Sequence, residues 1–112
     1  DIHLDTAPYN GTTTTCEALW QGVPSVVIAG KAHRSRVGVS ILSQVGLEEF
    51  IAHSEEDYVT IAINLAKDLE KLNALRLGMR ARMASSLLMN QQSFVDEIQA
   101  AFLEMLSVKR SL

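Results

Sequence analysis

Little in this sequence points to a membrane, an oxidising compartment or a nucleic-acid surface. Aromatic residues make up 5% of the 112 residues, and Cys16 is the single cysteine. A lone cysteine cannot form an internal disulfide, which favours a reducing compartment, so we expect a cytoplasmic protein. The formal net charge of −3 provides no basic surface for nucleic acid. The apolar runs are too short to span a bilayer, and we expect neither a nucleic-acid nor a membrane partner.

The start of the sequence also lacks the features of a complete chain. The first residue is Asp1 rather than Met, and residues 1–6 already alternate apolar and polar side chains as a strand does. The charged and apolar segments of a signal peptide are absent from this position. We therefore expect a piece of a longer protein, without catalytic activity of its own.

What is present is the composition of an ordinary globular domain. Hydrophobic residues make up 47% of the chain and charged residues 21%, and the length is sufficient for one domain. The first half alternates strand and helix patterns. Strand patterns cover residues 1–6 and 25–29, helix patterns cover residues 14–21 and 35–45, and residues 47–52 form a possible short third strand.

Helical periodicity dominates the second half. Ser54, followed by three acidic residues, predicts a helix start, and an apolar stripe continues to Met83 with a bend near Asp68. A final helix contains Phe94. Because strand–helix–strand crossovers are right-handed, we expect parallel strands. The sequence thus predicts a partial Rossmann-like α/β fold for residues 1–112, with two to three parallel strands in 1–52 and a helical C-terminal extension in 53–112.

The turn before the first helix carries the strongest candidate site. The first amides of a helix lack intrahelical partners and attract anions, and threonine hydroxyls add further donors, so this turn predicts diphosphate binding. A carboxylate one helical turn later can accept hydrogen bonds from ribose hydroxyls. The predicted nucleotide-binding residues are Gly11, Thr12, Thr13, Thr14 and Glu17.

An alternative for the same stretch needs no ligand. Thr14-Thr15-Cys16-Glu17 matches the S/T-x-x-E capping box, in which Glu17 would bond back to the first amide of the helix. A phosphate and a capping side chain compete for overlapping amides, so both interpretations stay open. Cys16 is expected to be a small buried residue, although a position in the first helical turn would lower the pKa of its thiol.

Other polar clusters are weaker candidates. His33 lies in a second loop with Lys31 and Arg34, where it either faces the same ligand or belongs to a solvated basic loop. The three histidines have no metal-ligand spacing, so we expect no metal. We also expect no other cofactor. Three arginines of a late helix are interpreted as a solvated face, with a contact to another domain as the alternative: Arg76, Arg80 and Arg82.

Five motifs in register give the chain a resemblance to the O-GlcNAc transferase/SPINDLY family, glycosyltransferase family 41. The resemblance covers essentially the whole chain and is greatest to bacterial members with tetratricopeptide repeats. It extends to the arginine-bearing helix and the Phe94 helix. The motifs are Leu4-Asp5-Thr6, Asn10-Gly11-Thr12-Thr13-Thr14-Thr15-Cys16-Glu17-Ala18-Leu19-Trp20, Gly22-Val23-Pro24, Ser35-Arg36-Val37-Gly38-Val39-Ser40 and Gly46-Leu47-Glu48-Glu49-Phe50-Ile51-Ala52.

The resemblance implies the C-terminal part of the donor-binding domain of a GT-B glycosyltransferase. Such an enzyme moves a sugar, most often N-acetylglucosamine from UDP-GlcNAc and in some relatives fucose from GDP-fucose, onto Ser or Thr of a protein without a metal. It implies that residues 12–14 bind the donor diphosphate and that Glu17 binds the ribose. The acceptor protein would be recognised by repeats upstream of this chain, and the catalytic residues would also lie upstream.

Two residues depart from the family pattern, and two rival functions stay open. Animal members have His at the position of Thr12 and Asp at that of Glu17. Backbone amide contacts to phosphate survive both changes. One rival is a non-catalytic, degenerate GT-B domain retained for protein contacts, and the other is a nucleotide-sugar epimerase, which would need acid/base carboxylates of its own.

Overall fold

A parallel sheet with helices packed against it forms the first half of the chain. The computed structural model describes residues 1–111, within which the strands have the order β1-β2-β3. His3 pairs with Ser25 and Val27 pairs with Ile51, both in parallel register. The predicted α/β class and parallel strands are therefore confirmed. The strands are β1 (His3–Leu4), β2 (Ser25–Ile28) and β3 (Ile51–Ala52).

The described residues form five α-helices and three short 3-10 turns. Predicted helix two is shorter than expected, because a 3-10 turn at His33–Ser35 precedes it. Predicted strand three shrinks to two residues behind a 3-10 turn at Glu48–Phe50. The helices are α1 (Thr13–Trp20), α2 (Val37–Gln44), α3 (Glu55–Lys67), α4 (Leu69–Ala84) and α5 (Gln91–Ser111).

Side-chain caps and glycines set the helix boundaries. Ser54 Oγ accepts from the Asp57 amide at 3.0 Å, which confirms the predicted start of α3. Asp68 ends α3 and caps α4 by accepting from the Lys71 amide at 2.9 Å, so the predicted bend is a complete break. Gly22 and Gly46 end α1 and α2 with φ of +81° and +68°, values that favour glycine.

One hydrophobic core joins the sheet to the later helices. Leu19 of α1, Val27 of β2 and Met79 of α4 are each 0% exposed. The predicted stripe fails at Leu69, which is 73% exposed. At 100° per residue, Leu69 lies about 120° around α4 from Leu75, which faces the core. The buried members of this core are Leu19, Val26, Val27, Ile41, Leu42, Val45, Leu47, Phe50, Ile51, Leu65, Leu75, Met79 and Met83.

The arginines of α4 are exposed, as the solvated-face interpretation predicts, and two of them also bind the ends of other elements. Arg82 Nη1 donates to the carbonyl of Gly46 at 2.9 Å, just beyond the end of α2. Arg80 Nε donates to the Trp20 carbonyl at 3.2 Å, and its guanidinium lies 5.0 Å from the centre of the Trp20 ring. A cation at a helix C-terminus interacts favourably with its free carbonyls. These bonds fix α4 to α1 and α2.

The last helix projects from this core. The 21 residues of α5 include no buried residue, and the helix packs mainly on the 3-10 turn Leu87–Met89 before it. The predicted helix is confirmed, yet Phe94 and Phe102 on its apolar side are 65% and 64% exposed. None of the described helices combines the length and apolar character needed to cross a bilayer.

Replacing Met79 by Ala is expected to lower the free energy of unfolding by about 2–5 kcal/mol, because the change leaves a cavity among core side chains. Leu77 lies on the same helix but is 77% exposed. The matched change Leu77→Ala should alter stability by less than about 0.5 kcal/mol. Urea unfolding followed by Trp20 fluorescence measures both, and equal losses in the two variants would contradict this assignment of the core.

Cys16 lies farther into α1 than the capping pattern implies. It is the fourth residue of the helix and is partly buried, and burial raises the pKa of its thiol. The expected lowering of that pKa by the first helical turn is therefore wrong.

Alkylation of Cys16 should consequently be slow at neutral pH. The rate with iodoacetamide is expected to rise with a midpoint above the ordinary thiol value of about 8.5. The same chain unfolded in urea provides the control, because its thiol is fully solvated. A native midpoint at or below that of the unfolded chain would contradict the prediction.

Candidate functional site

The loop that leaves β1 folds around a buried carboxylate. Asp5 is 5% exposed and follows β1 directly. Its Oδ1 accepts from the amides of Thr6 and Gly11, both at 2.8 Å. Its Oδ2 accepts from the Thr15 hydroxyl at 3.2 Å, and the same hydroxyl lies 3.0 Å from the Gly11 carbonyl. The Asp5 carboxylate thus fixes both the turn and the first turn of α1.

The Asp5 carboxylate lies beside the N-terminal ends of two helices and not beside a cationic side chain. Within residues 1–111, no lysine or arginine forms an ion pair with Asp5. The start of α2 also lies close, because a Cβ added to Gly38 would be 3.1 Å from Asp5 Oδ2. Helix N-termini carry partial positive charge, so α1 and α2 together stabilise the buried anion.

A third helix reaches the same residue. The Tyr58 hydroxyl of α3 donates to the backbone carbonyl of Asp5 at 2.9 Å. Burial, and then the negative charge of Asp5, raise the pKa of Tyr58. The phenol therefore stays protonated and able to donate at neutral pH.

Asn10 connects the first loop to the second. It is 1% exposed, and its backbone amide donates to the Arg34 carbonyl at 2.8 Å. Its side-chain oxygen accepts from the Gly38 amide at 3.1 Å, and its Nδ2 donates to the Thr6 carbonyl at 3.0 Å. The two loops that follow β1 and β2 therefore lie side by side at the carboxyl edge of the sheet.

The predicted threonines lie at the exposed start of α1. Thr12 is the N-cap residue, and within residues 1–111 its side chain makes no cap hydrogen bond. Thr12, Thr13 and Thr14 are exposed, whereas Thr15 is fully buried. Among the described residues, the amides of Thr13 and Thr14 have no hydrogen-bond acceptor. Two amides and a row of hydroxyls are therefore available at this helix end.

A glycine is required at position 11 by the packing of the turn itself, whether or not a ligand binds there. A Cβ at this position would collide with the Thr14 hydroxyl and lie 2.9 Å from the Thr15 hydroxyl and 3.4 Å from Asp5 Oδ1. Glycine therefore lets the turn close over its own side chains. The role of Gly11 in nucleotide binding stays a prediction.

The capping alternative for Glu17 is wrong. The helix begins at Thr13, so Glu17 is its fifth residue and lies too far along to reach the N-cap amide. Its side chain is exposed and has no hydrogen-bond partner within residues 1–111. With the capping role excluded, this carboxylate is available to solvent or to a ligand.

Thr13 and Glu17 share one side of α1. Residues four positions apart lie on the same helix face, here about 6 Å apart along the axis. This side lines an open groove of ≈ 280 Å³. The groove residues are Thr13, Cys16, Glu17, Trp20, Gln21, Met83 and Met89.

The loop that follows β2 contacts this site only in part. The Arg34 backbone contacts Asn10, but Arg36 folds back and donates to the Gly30 carbonyl at 3.0 Å. His33 and Arg36 line a separate groove of ≈ 480 Å³ along α2. Within residues 1–111, His, Cys, Asp and Glu form no group of three or more that could hold a metal ion.

Sequence reasoning missed the residues beneath the site. Asp5 and Thr15 are buried and Tyr58 is half-buried beside them, and none of the three was predicted to have a role there. A carboxylate directly after a strand, ten residues before a threonine in a helix start, is a signal for the Asp5–Thr15 pair. For Tyr58, 53 positions from Asp5, the sequence holds no such signal.

Comparison with known proteins connects this geometry to a family. The sequence model of glycosyl transferase family 41 matches residues 1–98. The chain is similar to an Oryza sativa subsp. japonica protein described as a probable UDP-N-acetylglucosamine–peptide N-acetylglucosaminyltransferase SPINDLY, with 47% identity over 105 residues. That alignment covers 94% of this chain and 11% of the rice protein. The chain therefore spans about a tenth of the length of such relatives.

A more distant relative and a solved structure agree. A UDP-N-acetylglucosamine–peptide N-acetylglucosaminyltransferase of Caenorhabditis elegans is 32% identical over 99 residues, covering 88% of this chain and 9% of the worm protein. A mutant of the Thermobaculum terrenum O-GlcNAc transferase superposes with a TM-score of 0.85 at 39% identity, covering 93% of this chain and 20% of that one. Bacterial origin, tetratricopeptide repeats and a cytoplasmic location stay predictions. The sequence match over most of the chain and the matching fold together show that this chain belongs to glycosyl transferase family 41.

Proposed function

We propose that this chain is the C-terminal donor-binding portion of a glycosyltransferase that moves N-acetylglucosamine from UDP-GlcNAc onto Ser or Thr of proteins. The observation that carries the proposal is the exposed start of α1. There the Thr13 and Thr14 amides have no acceptor among the described residues, at the carboxyl edge of a parallel sheet in a family 41 chain. Ligands of open α/β sheets bind outside the carboxyl ends of the strands.

The start of α1 suits the diphosphate of the donor. The amides of Thr13 and Thr14 and the hydroxyls of residues 12–14 can donate to phosphate oxygens, and the helix dipole favours their negative charge. Family 41 membership supports a sugar diphosphate, rather than another anion, as the ligand.

Glu17 suits the ribose of the same donor. Its carboxylate lies on the side of α1 that Thr13 shares, about 6 Å farther along the helix axis. A nucleotide bound with its phosphates at Thr13 would bring its ribose hydroxyls toward Glu17. The absence of a capping bond from Glu17 within residues 1–111 supports this role.

In the reaction, the acceptor hydroxyl oxygen attacks the anomeric carbon of the sugar. The bond from that carbon to the β-phosphate oxygen breaks, the electron pair stays on UDP, and the hydroxyl proton is released. Negative charge therefore grows on the diphosphate in the transition state. Donors aimed at that charge accelerate the reaction because they bind the transition state more strongly than the substrate.

The names of the relatives favour this activity over an epimerase, since both the rice and the worm protein are described as N-acetylglucosaminyltransferases. The donor stays open to test against GDP-fucose. A degenerate domain used for protein contacts would bind neither nucleotide.

Titration of the chain with UDP should shift the amide NMR signals of residues 11–17, because those amides surround the proposed phosphate site. Millimolar UDP is the appropriate range, since a part of a binding cleft binds weakly. Inorganic sulfate at equal ionic strength serves as the control for a simple anion effect. Shifts confined to other residues, or none, would count against the proposal.

In the full-length protein, Thr13→Ala and Glu17→Ala should each raise the KM for UDP-GlcNAc by about tenfold, the effect of losing one hydrogen bond to a charged group. Thr60→Ala is the matched control, because Thr60 is exposed on α3 and its hydroxyl donates to the Glu56 carbonyl of the same helix. Assays with UDP-GlcNAc and GDP-fucose in parallel identify the donor. Unchanged kinetics in both site variants would refute these roles.

A further inference from the structure

We propose that Asp5 is a positioning residue for donor binding, which acts through Gly11 and Thr15 and does not touch the donor. This inference rests on the proposed function, because it concerns the same helix end. Asp5 is 5% exposed and Thr15 is 0% exposed, so both lie beneath the surface that residues 12–14 present. Their effect on a ligand must therefore pass through the shape of the turn.

The hydrogen bonds define that shape on both sides of the exposed threonines. Asp5 Oδ1 holds the Gly11 amide at 2.8 Å, before the threonines, and Asp5 Oδ2 holds the Thr15 hydroxyl at 3.2 Å, after them. One carboxylate thus fixes both ends of the segment 12–14. The orientation of the Thr13 and Thr14 amides follows from these two attachments.

The charge of Asp5 strengthens these attachments. Hydrogen bonds to an ionised acceptor are about twice as strong as those between neutral groups. Within residues 1–111 no cation pairs with this carboxylate, so its hydrogen bonds go to the turn, to the helix start and to Thr6. The buried charge is tolerated because the N-termini of α1 and α2 lie against it.

The position of Asp5 is itself fixed from two other elements. Its backbone amide donates to the Val26 carbonyl of β2 at 3.0 Å, and its carbonyl accepts from the Tyr58 hydroxyl of α3. The position of the turn is therefore fixed relative to β2 and α3, and not only by contacts within its own loop. Displacement of a binding group by about 1 Å can lower a reaction rate about a hundredfold. Attachment of Asp5 to β2 and α3 is therefore expected to affect donor binding.

The experiment measures the dissociation constant of UDP by calorimetry in the full-length protein. Asp5→Ala removes the acceptor of the Gly11 amide and one of the two acceptors of the Thr15 hydroxyl, the other being the Gly11 carbonyl, and should weaken UDP binding by about tenfold or more. Thr15→Val keeps the size and branching of the side chain but removes its hydroxyl, and it should weaken binding in the same direction. Thr15→Ser keeps the hydroxyl and should restore binding to within about threefold of the wild type.

A stability control separates positioning from general damage. Met79→Ala destabilises the core from α4, which is not part of the turn, and should leave the UDP dissociation constant unchanged. If Met79→Ala weakens UDP binding as much as Asp5→Ala does, the positioning role is overturned. If Asp5→Ala does not fold, the comparison of Thr15→Val with Thr15→Ser decides alone.

The remaining outcomes distinguish the two proposals. If the wild-type protein does not bind UDP, the proposed function fails and the positioning role fails with it. If the wild type binds UDP and both Asp5→Ala and Thr15→Val bind it equally well, only the positioning role is overturned. Weaker binding in Thr15→Val that is rescued in Thr15→Ser supports the positioning role.

Discussion

The buried carboxylate of Asp5 is the interaction on which the arrangement of this half of the molecule depends. An anion inside a protein needs hydrogen bonds and compensating charge, and both are supplied here by backbone groups and helix ends. Meeting that need brings the starts of α1 and α2 together at the edge of the sheet. The requirement of one side chain thus organises two helices, and the third helix, α3, attaches to the backbone of the same residue through the Tyr58 hydroxyl.

The four consecutive threonines, residues 12–15, lie in two different environments. Thr15 faces inward and completes the hydrogen bonding of Asp5, while residues 12–14 are exposed, with the Thr13 and Thr14 amides available and the Thr14 hydroxyl lying over Gly11. Four identical residues in sequence therefore have two different roles. Gly11 also contributes to the packing inside the turn, because the Thr14 and Thr15 hydroxyls fill the space that a side chain at this position would occupy.

Periodicity and turn chemistry predicted the order of strands and helices well, because Gly22, Gly46 and Ser54 act locally. The family could also be inferred, since its motifs occur in register along the chain. Roles that depend on distant contacts were missed or misassigned. Arg82 bonds to Gly46, 36 positions away, and nothing in the spacing of the α4 arginines reveals that partner. The capping interpretation of Glu17 failed because the helix begins one residue before the threonine that the motif requires as its cap.

Because α5 projects from the core, its unfolding is expected to be separate from the unfolding of the core. A helix that packs mainly on the turn before it gains little from the cooperative core, and its residues can unwind in small steps. Far-ultraviolet ellipticity would then report a gradual loss superimposed on the sharper transition of the core. The all-or-none approximation accordingly holds for the sheet with α1–α4, and a calorimetric enthalpy for the whole chain would exceed the van't Hoff value of that unit.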